Sequence, residues 1–175
     1  MKKPSKNNEP VALTEETALA FFARHLDQNQ WSYNRFDENS LQSAFNGDDA
    51  LWNFFMFAQD KGDGLFLLGV HSFIPIKTPA ERRAACVELL NRINFQLNVG
   101  CFDLNPEGGE IRFRTSSIVA GSDITDGLVE HLIRSNLAIV DERLKPILAV
   151  ICGNATPEQA LASKPTAPEQ RFDLN

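Results

Sequence analysis

The sequence predicts an α+β protein: a mostly antiparallel sheet with helices packed on it, in the order α-β-β-β-β-α-β-β-α. Three observations carry this. Three stretches, at the start, middle and end of the chain, repeat apolar residues at three- and four-residue spacing, as one buried helix face requires. Between them lie short apolar or alternating runs separated by turn residues such as "NGDD", "DKGDG" and "NPEGG". Strands joined by turns this tight cannot be parallel neighbours, because a parallel crossover needs a dozen or more residues.

Taken in order, "LTEETALAFFARHLDQ" reads as the first helix. Thr14 is its N-cap, Glu15 and Glu16 offset the dipole, and Leu19, Phe22 and Leu26 share a stripe. "WSYNRF" alternates and "SLQSAFNG" is a second short strand. "ALWNFFMFAQ" and "LFLLGVHSFIP" are apolar on both parities, so the first of these is expected to be a central strand covered at least in part on both faces. "TPAERRAACVELLNRINFQLN" is the clearest helix, with Thr78 expected as N-cap, Pro79 at the first helical position and Glu81 closing a capping box. Its Cys86, Leu90, Ile93 and Leu97 form one buried face. "GCFDL" and "EIRFRTSSIVA" are two strands around the turn "NPEGG", with Arg112, Arg114 and Ser116 on a solvated face opposite Ile111, Phe113 and Thr115. In the last long helical region Ile133, Leu137, Val140, Leu144, Ile147 and Ile151 repeat at four and three, and Pro146 is expected to kink or split it. "TPEQALA" repeats the cap pattern with Thr156, Pro157 and Gln159. No internal repeat is visible.

A length of 175 residues suits one domain, here residues 14–162, between a flexible segment 1–13 and a disordered tail 163–175 that is rich in proline and poor in apolar residues. The net charge of −6 argues against a nucleic-acid binder, which shows a basic stripe. No apolar run approaches the roughly 20 residues that span a bilayer, and the N-terminal lysines precede no signal-like segment. Three widely spaced cysteines, Cys86, Cys101 and Cys152, fit reduced thiols in the cytoplasm.

The stretches "WSYNRF" and "FNG", followed by "FIPIKTPAERRAACVELLNRINFQLNVGCFDLNPEGGEIRFRTS", resemble the YbjN family, whose fold is similar to that of type III secretion chaperones. The match rests on a proline-containing link, a helix rich in Glu, Leu and Asn, a glycine, an apolar strand and "GEIRFR". The resemblance implies a regulator or a protein of unassigned function. The similar chaperones are small, acidic, dimeric and not enzymes.

The chemical motifs are weak beside this. "DLNPEG" imitates half a calcium loop with Asp103, Asn105, Glu107 and Gly108, but Arg114 stands where the bidentate Glu belongs and a strand follows where a helix is required. His25, His71 and His131 sit on separate elements with no ligand spacing. No phosphate-cradling loop, nucleotide fingerprint or nucleophile elbow is present. Neither metal nor cofactor is therefore expected. The expected function is a non-enzymatic, cytoplasmic protein-binding module, chaperone-like or regulatory, that works as a homodimer and binds neither nucleic acid nor membrane. Ile133, Leu137, Val140 and Leu144 are the candidate interaction stripe, serving either as a dimer seam or as cover for the sheet. Arg112 and Arg114, with Arg82 and Arg83 in reserve, are the candidate anion-binding face. The alternatives are a small thiol enzyme using a Cys/His pair and an anion or ligand sensor on the arginine face.

Overall fold

The structure, a computed structural model, describes residues 14–162; segments 1–13 and 163–175, and the expectations placed on them, lie outside the described residues. Helix α1 (Glu15–Gln28) opens with Thr14, whose hydroxyl accepts from the Thr17 amide while Thr17 Oγ1 accepts from the Thr14 amide at 2.6 Å. Four antiparallel strands follow: β1 (Tyr33–Asp37), β2 (Ser40–Asn46), β3 (Leu51–Gly62) and β4 (Leu65–Phe73). Then come α2 (Arg83–Asn94), β5 (Cys101–Leu104), β6 (Ile111–Ala120), α3 (Asp126–Ile151) and a short α4 (Pro157–Ala162). The observed order is the predicted one with α4 added. The six strands form one sheet, β1-β2-β3-β4-β6-β5, antiparallel at every pairing.

All the long helices pack on one side. α1 lies over β2, β3 and β4, α3 over β4 and β6, and α2 over β5. Between helices and sheet sits one continuous core that includes Phe22, Leu26, Trp52, Phe54, Met56, Leu68, Val70, Ile93, Phe113, Ile133 and Val140. Period-two geometry explains the choice on β3: Trp52, Phe54, Met56 and Ala58 are buried, while Leu51, Asn53, Phe55 and Phe57 face the other way. The second face of β3 is covered in part, Phe55 and Phe57 being half-buried. No described helix lies on it, and its phenylalanines pack against neighbouring side chains instead.

Two expectations change. Thr78 does not cap α2. A 3-10 turn at Ala80–Arg82 precedes that helix, and no side-chain cap is formed. Thr78 is instead 1% exposed, its amide donating to the Gly109 carbonyl at 2.7 Å and its hydroxyl lying beside the Cys86 thiol. The residue is used to tie the link to the β5–β6 hairpin. At that contact Gly109 has φ +78°, and a Cβ there would stand 2.3 Å from the Thr78 oxygen, so only glycine fits. Pro146 does not split α3, which runs unbroken through it. Leu144 on one side and Ile147, Val150 and Ile151 on the other are all buried, so core packing holds both halves helical.

Candidate functional site

The uncovered face of the sheet is built by register. Phe55 pairs with His71 and Phe57 with Gly69 across β3–β4; His71 pairs with Arg114 and Phe73 with Arg112 across β4–β6; Arg114 pairs with Cys101 and Arg112 with Asp103 across β6–β5. All these side chains therefore point the same way. On one half, aromatic rings meet edge to face: Phe36 to Phe55 at 5.0 Å, Phe55 to Phe73 at 5.5 Å, and Phe57 to His71 at 4.8 Å between centroids. Gly69 makes room for this, since a Cβ there would lie 2.2 Å from the Phe57 ring. Phe36 (61% exposed), Ile118 (63%), Leu51 and Leu65 leave much apolar surface open to solvent on this side.

The other half carries charge. Asp103 accepts from Arg112 Nε at 3.1 Å and from Arg114 Nε at 2.8 Å. One carboxylate thus serves two guanidiniums, and the local surplus is positive on a chain whose net charge is −6. A pocket of about 390 Å³ opens beside them, lined by Phe73, Asp103, Leu104, Asn105, Glu110 and Arg112. The predicted helpers do not join this pair. Arg83 donates to the Pro106 carbonyl at 2.7 Å, and Arg82 lies against Gly153.

His71 sits at the boundary between the two halves. Burial, then the Arg112 and Arg114 guanidiniums, lower its pKa from 6.5 to about 4. In the unfolded chain the imidazole returns to 6.5, so on acidification the unfolded state takes up a proton before the folded state does. The stability from neutral His71 is complete above pH 6.5 and is lost as pH falls toward about 4. Over that window the urea midpoint should fall more steeply for the wild type than for His71→Asn. Equal pH slopes would contradict this placement of His71.

The sequence model of the YbjN family, described as "Putative bacterial sensory transduction regulator", matches residues 20–147. The chain belongs to the YbjN family. A solved structure described as "Crystal structure of YbjN, a putative transcription regulator from E. coli" is similar at 13% identity and a TM-score of 0.47, over 78% of this chain and 90% of that one. No curated protein matches.

In this YbjN-family chain the predicted stripe Ile133, Leu137, Val140 and Leu144 is 0–4% exposed and packs in the core over β4 and β6. Of the two roles weighed for it, the structure shows the cover. "DLNPEG" is a hairpin corner: the Asn105 amide donates to the Glu110 carbonyl at 2.8 Å, the Glu107 amide to Asn105 Oδ1 at 3.0 Å, and Arg114 is on β6. His25 is buried, His71 half-buried and His131 exposed. Among the described residues no group of three His, Cys, Asp or Glu side chains is placed to hold a metal ion.

Sequence reasoning missed Asn136. It lies fully buried on α3, on the stripe between Ile133 and Val140. Its Oδ1 accepts from Ser72 Oγ at 2.6 Å, and its Nδ2 donates to the Val70 carbonyl at 3.0 Å. Ser72 Oγ in turn accepts from Trp52 Nε1 at 3.1 Å. A polar residue at a core position of an otherwise apolar stripe was the available signal.

The thiols differ from one another. Cys86 is buried and Cys101 half-buried, and burial raises the pKa of both. Cys152 is exposed. Cys86→Ser should be the most destabilising of the three serine substitutions, since it puts a hydroxyl at a fully buried site; thermal melts of the three variants rank them.

Proposed function

We propose that this chain is a non-enzymatic, cytoplasmic protein-binding module, chaperone-like or regulatory in role, and that the uncovered sheet face is where it binds. The observation that carries this reading is the aromatic row Phe36–Phe55–Phe73 running into the Arg112–Arg114 pair on one side of the sheet. Phe36 is exposed and Phe55 and Phe73 half-buried, and aromatic side chains beside arginines are the composition enriched at protein interfaces. The regulator description of the family supports the same class of role. No helix among the described residues is long and apolar enough to cross a membrane.

The thiol-enzyme alternative has less support. Cys101 and His71 share the open face but flank Arg114 from β5 and β4, two strands apart, about 10 Å. That is beyond proton-transfer reach, and raised thiol pKa values disfavour the reactive thiolate.

A homodimer is part of the proposal. Since the α3 stripe is consumed by the core, its seam has to use other surface, such as exposed Val87, Phe95 and Val99 on and after α2. Phe36→Glu with Ile118→Glu alters only exposed positions and should leave the melting temperature within a few degrees. Captured proteins, identified by mass spectrometry, should then be lost from this variant and kept by Val87→Glu with Phe95→Glu. Capture that is indifferent to the first pair would remove the sheet face from consideration.

A further inference from the structure

The four residues Phe-Asp-Leu-Asn occur twice, at 102–105 and at 172–175, a repeat too short to mark a repeated domain. The first copy runs from β5 into the following turn, and its Phe and Asp each have a partner. The Phe102 ring packs on Phe113 at 4.5 Å between centroids, and Asp103 bridges Arg112 and Arg114. The second copy lies in the segment that follows α4.

The open face offers what such a segment needs. Arg112 and Arg114 spend only their Nε atoms on Asp103, so among the described residues their η nitrogens have no carboxylate partner. Phe73, on the aromatic row, lines the pocket beside Arg112. The route is short. α4 packs on α2 and α3, α2 packs on β5, and β5 is an edge of the sheet. Residues 163–171 reach about 30 Å when extended, against roughly 20 Å for one helix layer and one sheet layer at about 10 Å each. Adding a seventh strand outside β5 is blocked, because the Asn94 side chain already takes both outward backbone groups of Phe102, at 2.8 and 2.9 Å.

We propose that Phe172, Asp173 and Leu174 of the same chain dock on the open sheet face, Asp173 against the η nitrogens of Arg112 and Arg114 and Phe172 against Phe73. The tail then competes with anything else that binds this face. Docking itself does not depend on an outside partner; only the competition rests on the function proposed above.

A fluorescein-labelled peptide of residues 168–175 tests it by anisotropy, against the full-length chain and a full-length Phe172→Ala, Asp173→Arg variant. An attached tail acts at millimolar effective concentration, so the peptide should bind the variant about tenfold or more tightly than the wild type. A peptide with Asp173→Arg should not bind. Equal affinity for the two chains, no binding to the variant, or indifference to the charge reversal overturns the proposal. A gap that closes on dilution of the wild-type chain places the tail on a second copy and overturns the same-chain assignment. Lysate capture lost from Phe36→Glu with Ile118→Glu is a separate readout: its failure sinks the partner reading and leaves the peptide result standing.

Discussion

Leu137→Glu combined with Leu144→Glu should abolish the fold. Both leucines are at most 4% exposed, inside the single core that joins α3 to β4 and β6. Each substitution forfeits roughly 1.5–3 kcal/mol of apolar burial and adds an unpaired carboxylate whose burial costs several more. A domain of this size has about 5–15 kcal/mol in total, so two such changes consume most or all of it. Circular dichroism should show no cooperative melt. A monomer that keeps its helix signal would mean that the stripe is an intermolecular seam after all.

Asn136→Ala should be the most damaging single removal of a polar group, lowering stability by roughly 3–5 kcal/mol. The substitution withdraws the acceptor of the Ser72 hydroxyl and a second donor to the Val70 carbonyl, which keeps its place in the β3–β4–β6 ladder, both in the dry interior where a polar group that loses its partner costs about 1–3 kcal/mol. It also opens a small void. Ser72 still receives the Trp52 indole N–H, so the loss should stop short of unfolding. Urea titration measures it, with Asn94→Ala as a half-buried comparison. An effect below about 1 kcal/mol would mean that the network is replaced by water at little cost.

The elements and their types, α4 apart, follow from local patterning along the chain. Thr14 and Thr156 made their caps, because N-capping is settled within four residues. The turn at "NPEGG" and the apolar stripes of α1 and α3 were legible for the same reason, since each depends on spacing along one element; the stripe of α2 was legible only in part, because the helix ends at Asn94 and Leu97 lies past it, half-buried. The family, too, was legible in the pattern from Phe73 to Ser116.

Other features depend on pairing between segments far apart in the chain. Sheet order put β6 between β4 and β5, which set His71, Arg114 and Cys101 side by side on one face. A strand apolar on both parities does not say whether a helix layer or its own aromatic neighbours cover the second face. Here β3 has helices on one side and the phenylalanine row on the other, because all the long helices pack on the first face. Thr78 looked like a cap until the β5–β6 hairpin, more than twenty-five residues on, supplied the Gly109 carbonyl that fixes it in the core. Asn136 is the clearest case. Its place on an apolar stripe was visible, but its partners Ser72 and Val70 lie more than sixty residues away, and only the packing of α3 on β4 brings them within hydrogen-bond reach.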